Sequence, residues 1–306
     1  MHNRMVCFAF ILFVGVLSIA GVLGFPETAY AWGPGAHMVM GNWILHNVAL
    51  LPPLVADSLA RFPDFFLHGC LSADIFIGKG CVAKKGHSHN WESAQALLAR
   101  AGSSRSRAYA YGYLSHLAAD TVAHNVFVPA FFPLAPGNGR IAHVYIEMQA
   151  DRMLSWDKEH ALAVFHGSRS KNAEYMLRKT LQHNAVKFRL QSNAYQASIA
   201  VGGSAFWRRS LRAVDRFFPG HINTVCLTDW LETATSAVVD VLRNGDRSPV
   251  FTLDPVGTNA LANAAAIRSG QRGISVDAPD FVGAVPLPDA LQSLPLLYLA
   301  KPKVAA

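Results

Sequence analysis

Tyr111 to Asn125 reads YGYLSHLAADTVAHN and places His116, Asp120 and His124 at four-residue intervals. An α-helix turns about 100° per residue, so each step of four advances only about 40° and the three side chains share one face. Leu114, Leu117, Ala118, Val122 and Ala123 suit the rest of a buried helix. The stretch therefore predicts a mostly apolar rod that projects three metal-ligand side chains. At about 1.5 Å of rise per residue, His116 and His124 lie roughly 12 Å apart along the axis, too far for easy sharing of one ion. That separation points to more than one metal, with Asp120 placed between them.

The device recurs. From Ile141 to Asp151 the spacing puts His143, Glu147 and Asp151 on one helical face, and eight of the thirteen histidines lie between His37 and His143. Core packing does not explain such clustering with carboxylates. Upstream, Trp32-Gly33-Pro34-Gly35-Ala36-His37 opens a helix through Met38, Trp43, Ile44 and Val48 that Pro52-Pro53 ends. A second segment from Leu54 to Phe66 is interrupted by Pro63 and leads to a loop carrying Asp74. A carboxylate set among small and apolar residues is either a helix cap or a buried group that needs a metal or a hydrogen-bonding partner. His87 and His89 precede a helix through Ala94, Leu97 and Leu98. Residues two apart on a helical turn point to nearly opposite sides, so one is a ligand and the other a solvated neighbour.

The first 31 of the 306 residues are expected to lie outside the fold. Arg4, an apolar run from Met5 to Leu23 and Ala29-Tyr30-Ala31 form a signal-peptide pattern, so the mature chain is expected to start at Trp32 in a periplasmic or extracellular setting. A retained membrane anchor is the alternative that the apolar length leaves open. A new amino terminus at Trp32 would offer a metal its amine and carbonyl oxygen, with His37 folding back across the glycines. Cys70 and Cys81 are close enough for a short-loop disulfide, and buried thiols are the competing reading. The formal charge of +7 favours anionic partners such as phospholipid headgroups or nucleic acid without choosing between them.

The loop from Val128 to Gly139 is rich in proline and glycine, and its Phe131 and Phe132 either line a substrate cleft or pack into the core. Helical patterns then run through Trp156–Phe165, Ala173–Leu190 and Thr228–Leu242. Ala205 to Phe218 sets Trp207, Leu211, Val214 and Phe218 against Arg208, Arg209, Arg212 and Arg216. Such a helix either buries its stripe in the core or lies on an anionic membrane. Residues 246–306 read as a loosely structured tail with one helix around Asn259 to Arg268. The sequence holds no internal repeat, no phosphate-cradling glycine loop and no G-x-S-x-G elbow.

Imidazoles and carboxylates without ligating thiols suit zinc in sites that keep a position open for water. Paired ions are the usual device for hydrolysing phosphate esters, because they clamp the attacking and leaving oxygens of an in-line displacement. In this ordered set of motifs the chain resembles the zinc-dependent phospholipase C family, whose site is related to that of single-strand-specific secreted nucleases. The resemblance spans about Trp32 to Asp151. It rests on an amino-terminal Trp and early His (Trp32, His37), the small-residue loop with Asp74, Ser88-His89-Asn90-Trp91, the H-x-x-x-D helix of His116 and Asp120 with His124 following, and the H-x-x-x-E helix of His143 and Glu147.

The resemblance implies an all-α, multihelical domain over residues 32–245 and as many as three zinc ions. One would be held by Asp74, His89, His116 and Asp120, a second by Trp32, His37 and the bridging Asp120, and a third by His124, His143 and Glu147. It also implies that Asp74 orients or deprotonates the attacking water. Asp151, one turn beyond Glu147, is not a family ligand and is a candidate support for His143. The expected activity is release of a phosphorylated headgroup from a phospholipid by a metal-activated water, with peripheral contact to a membrane surface. Glu147 matches the phospholipase branch, whereas the five-residue spacing from Trp32 to His37 matches the nuclease branch. A secreted zinc nuclease acting on single-stranded nucleic acid is thus the alternative, and a non-catalytic metal-binding relative is the third reading.

Overall fold

The computed structural model describes residues 32–76, 87–136, 139–166, 168–215, 222–270 and 285–297. The signal-peptide segment, Cys81 and the Arg216–Phe218 end of the basic helix lie outside them. No β-strand occurs among the described residues, so the fold is all-α as expected. No helix among them is long and apolar enough to cross a membrane.

The central element is α5 (Ser104–Val122), numbered after α1 (Pro34–His46), α2 (Pro53–Arg61), α3 (Pro63–Ser72) and α4 (Trp91–Ala99). It starts at a capping box in which the Ser103 hydroxyl accepts from the Ser106 amide and Ser106 returns a bond to the Ser103 amide. From Gly112 to Val122 every residue is buried. A helix covered on all sides must sit in the middle of its domain, and α3, α4, α2 and α12 (Thr224–Asn244) pack around this one.

Pro63 does not merely interrupt a segment: it occupies the first position of α3, where its missing N–H costs nothing. Gly69 of α3 meets Gly112 of α5 with almost no space between the backbones. A Cβ on Gly112 would lie 2.0 Å from the Phe66 carbonyl oxygen, and one on Gly69 would lie 2.1 Å from that of Tyr109. Only glycine allows this approach. It brings the Cys70 carbonyl within 2.8 Å of His116 Nδ1, so the crossing directly positions a candidate ligand. Cys70 itself is a free, buried thiol.

After α5 the helix widens into a π-helical turn, Ala123–Phe127, and continues as α6 (Val128–Phe131). The expected loop therefore begins later than its composition suggests, with Pro129 held inside the helical run directly after the π-helical turn. Phe131 and Phe132 are buried, and Phe131 packs edge-on against Phe127 at 5.3 Å, so the core reading of that pair holds.

The chain continues through α7 (Gly139–Met153), α8 (Lys158–Ala163), α9 (Ser168–Thr180), α10 (Ala185–Gly202) and α11 (Ala205–Asp215). The expected helix over Ala173–Leu190 is two helices. The break falls at Leu181–Asn184, where Gln182 adopts φ 56 and Asn184 caps α10 by accepting from the Val186 and Lys187 amides. In α11, Leu211 is buried and Trp207 half-buried while Arg209 and Arg212 are exposed.

The expectation of a loose tail fails for residues 246–257, and the helix expected around Asn259 to Arg268 forms. Phe251 stacks on Trp91 at 4.2 Å, Leu253 accepts from the Trp91 indole, and α13 (Thr258–Arg268) sends Arg268 to the Phe132 carbonyl oxygen at 2.9 Å. A last short helix, α14 (Asp289–Gln292), closes the described chain.

Candidate metal centre

Six separate elements deliver the candidate ligands to one buried region. His37 comes from α1, Asp74 from a 3-10 turn (Ala73–Ile75) after α3, and His89 from the turn before α4. His116 and Asp120 come from α5, His124 from the π-turn, and His143 and Glu147 from α7. All eight are buried.

Four of them converge. His89 Nε2 lies 3.2 Å from Asp74 Oδ1, 3.2 Å from Asp120 Oδ2 and 3.1 Å from His116 Nε2. His116 Nε2 lies 3.1 Å from Asp120 Oδ2 and 3.6 Å from Asp74 Oδ1. A tetrahedral ion with bonds of about 2.0–2.1 Å separates its ligands by roughly 3.3 Å. These five spacings bracket that value, and all four atoms lie within 4.8 Å of one another, as ligands of one zinc-sized ion would.

The hydrogen-bonding pattern agrees. Both oxygens of Asp74 and of Asp120, His37 Nε2 and Glu147 Oε1 are buried and make no hydrogen bond. Buried carboxylate oxygens are rarely left so, and a cation is the partner that satisfies several at once. Meanwhile the other nitrogen of each key imidazole is tied down. His116 Nδ1 donates to the Cys70 carbonyl oxygen, His124 Nδ1 to that of Pro255, and His89 Nδ1 lies 3.1 Å from the Ser88 hydroxyl. These bonds aim each Nε2 at the cluster.

Asp120 faces two ways. Its Oδ2 meets His89 and His116, while Oδ1 lies 3.3 Å from His37 Nε2, whose ring stacks on His116 at 4.0 Å. Burial works against the Asp120 charge, yet His116, His37 and His89 outweigh it and hold the carboxyl well below its usual range. Burial also opposes protonation of His89, but Asp120 and Asp74 push it up to about 9, and the same carboxylates raise His116. His37 moves the other way, lowered by burial and by His116.

The second group comprises His124, His143 and Glu147. His143 Nε2 lies 2.8 Å from Glu147 Oε1, and the two imidazole centroids are 5.3 Å apart. Glu147 is raised well above the carboxylate range, first by burial and then by repulsion from Asp74, Asp120 and Asp151. A carboxylate in that position needs a nearby cation to ionise.

Three sequence expectations need revision. Asp151 does not support His143: its two oxygens accept from the Gly35 and Ala36 amides at 2.7 and 2.9 Å, capping α1 across the fold. His87 is not a solvated neighbour of His89, because it is buried and its Nδ1 accepts from the His89 amide at 3.0 Å. Asp74 sits in a 3-10 turn rather than an irregular loop. Trp32 is fully buried; its indole donates to the Ala119 carbonyl oxygen at 3.1 Å and stacks on Phe127 at 4.5 Å, which anchors the residue beside Asp120.

Sequence reasoning missed the contribution of residues 254–257. Besides the Pro255 carbonyl on His124, Asn125 donates to the Asp254 carbonyl oxygen at 2.7 Å, and Gly257, at φ +62, packs against the His124 backbone. Asp254 organises this turn by accepting from Val256 and Thr258. An Asp-Pro-x-Gly turn is legible as a turn. Nothing in it announces contact with a residue 131 positions away.

A family model described as zinc dependent phospholipase C matches residues 36–240. The match includes His37, Asp74, His89, His116, Asp120, His124, His143 and Glu147, and leaves out Trp32 and the 254–257 turn. No curated protein and no solved structure matches the chain.

Proposed function

The chain belongs to the zinc-dependent phospholipase C family, and from that premise we propose that it is a zinc-dependent phosphodiester hydrolase releasing a phosphorylated headgroup from a phospholipid. The observation that carries the reading is the convergence of Asp74, His89, His116 and Asp120 at zinc-ligand spacing, with the second oxygen of Asp120 turned to His37.

One zinc would be held by those four residues, a second by His37, Asp120 and the Trp32 main chain, and a third by His124, His143 and Glu147. Bound zinc supplies Lewis acidity that lowers the pKa of water and polarises a phosphoryl oxygen. The chain's own residues do the positioning. Asp120, ionised among three imidazoles, fixes one group relative to the next. Asp74 offers buried carboxylate oxygens without hydrogen bonds, one of them suited to orient the attacking water and take its proton. Tyr113 donates to the Ser88 carbonyl oxygen and steadies the turn that presents His89. Export to the periplasm or beyond belongs to the same proposal, as does a free amine at Trp32.

The test is a substrate panel on protein of measured zinc content. Zinc-dependent release of diacylglycerol from phospholipid vesicles is the expected result. Fully metallated protein that leaves every common headgroup intact overturns the reading, and digestion of single-stranded DNA or RNA in its place establishes the nuclease alternative.

A further inference from the structure

Between Lys171 and Ala213 eight lysines and arginines face a single acid, Glu174, so this stretch alone carries a formal charge of +7, equal to the net charge of the whole chain. The remainder is electrically balanced. Such asymmetry marks a surface for an anionic partner.

The same stretch exposes large apolar side chains in an ordered way. On α10, Val186, Leu190 and Val201 are 70%, 65% and 52% exposed. With the exposed Ala197 they fall within about 60° of one another around the helix. Phe188, Tyr195 and Ile199 face the opposite way and are buried. Helix α10 thus carries a second apolar stripe that the core does not use, interrupted midway by the exposed Asn193. Exposed Lys187 and Arg189 border the outer stripe on either edge. Next to it, the half-exposed ring of Tyr175 carries Arg178 and Lys179 at 5.4 and 5.7 Å from its centroid. Between α9 and α10 lies a cleft of about 540 Å³ lined by Lys171, Glu174, Tyr175, Arg178 and Arg189. Exposed Phe206, Arg209 and Arg212 extend the surface onto α11.

An apolar stripe bordered by long cationic side chains is the arrangement that lets a helix lie at a bilayer boundary, its stems in the apolar layer and its charges among phosphates. We propose that α9, α10 and the start of α11 form a docking surface for an anionic phospholipid bilayer. The α10 stripe enters the headgroup–acyl boundary, and the surrounding lysines and arginines meet lipid phosphates. Nucleic acid would use the cations but leave the stripe in water, so the bilayer is the occupant that uses both features. The inner side of α10 packs on Phe76, whose ring is 5.5 Å from Phe188, two residues beyond Asp74. A docked bilayer therefore lies about one helix diameter, roughly 10–12 Å, from the turn that carries Asp74.

The proposal concerns attachment and stands apart from the metal chemistry, so the two are measured separately. Zinc-loaded full chain is sedimented with phosphatidylglycerol-containing vesicles and with phosphatidylcholine vesicles, and hydrolysis of a water-soluble monomeric phosphodiester is followed in parallel. Binding is expected only with the anionic lipid and falls as salt is raised. The variant Val186→Ser/Leu190→Ser/Arg209→Glu/Arg212→Glu is expected to bind at least about tenfold more weakly, since each cation near an anionic surface contributes several-fold, with soluble hydrolysis unchanged. As a check that does not depend on that variant folding, Leu190→Trp is expected to shift its fluorescence to the blue on vesicle addition. Lipid-independent sedimentation, wild-type binding by the folded quadruple variant, an unshifted Trp spectrum, or binding to single-stranded nucleic acid without binding to vesicles overturns the proposal. Vesicle binding without hydrolysis of any phosphodiester leaves the docking surface standing and removes the hydrolase reading instead.

Discussion

The two ligand groups are built from the same residue types and held differently. Asp74, His89, His116 and Asp120 come from three elements of the chain and balance their own charge: histidines surround the carboxylates, and Asp120 stays ionised in a fully buried setting. His124, His143 and Glu147 form a smaller set in which Glu147 is pushed toward its protonated form by burial and by neighbouring acids. The supports differ as well. The first group leans on the α3–α5 crossing through the Cys70 carbonyl, within the motif-bearing core, whereas the second leans on Pro255 and Gly257 from beyond residue 250. With four converging ligands against three, and with its support inside the family-matched core, the first group is expected to fill before the second.

Asp120→Ala is expected to do the most damage, because it removes an oxygen from each of two facing sets. Zinc content is expected to fall by more than one ion per chain and hydrolysis by at least about 100-fold, beyond the usual cost of losing a supporting partner. A variant that keeps full metal content and activity breaks the bridge.

Glu147→Gln separates the groups. Metal analysis is expected to show loss of one ion with the first group still filled, and activity about 10- to 100-fold lower. Loss of every ion would show that the groups fill together and not in order.

Gly257→Ala leaves every candidate ligand in place and is aimed at the remote support. At φ +62 a side chain costs about 1–2 kcal/mol, and its Cβ would lie 2.3 Å from the His124 carbonyl oxygen. Calorimetry is expected to show a lowered Tm, and zinc titration a weaker last ion with the tighter ones unaffected. Unchanged affinity for that ion would detach residues 254–257 from the centre.

The legible part of the protein was the part with short sequence periods. Four-residue steps place His116 with Asp120 and His143 with Glu147 on helix faces, and the all-α fold was legible through the family resemblance that those motifs carry. Asp74 and His89 were legible through their small-residue and Ser-His settings in the family pattern, and the structure brings both to His116. What was not legible is contact made by backbone. The carbonyls of Cys70 and Pro255 carry no residue-type signal, since any residue supplies one. Asp151 misled for the complementary reason: its helical phase matched that of Glu147, but two amides at the start of α1 claimed its carboxylate. The exposed stripe of α10 escaped notice because periodicity finds one apolar face and offers no reason to expect a second behind it.

The π-helical turn at Ala123–Phe127 bears on any effort to stabilise the protein. Such a turn holds one residue more than a regular helix allows, and π-bulges often accompany functional sites. Deleting a residue there to idealise the helix would rotate the chain on one side of the cut relative to the other by about 100° and draw them about 1.5 Å closer. His124 could then no longer serve both the Pro255 carbonyl and the His143 pair. A consensus design that smooths this helix is therefore expected to gain melting temperature while losing the His124–His143–Glu147 group, so the irregularity belongs on the list of features an engineer leaves untouched.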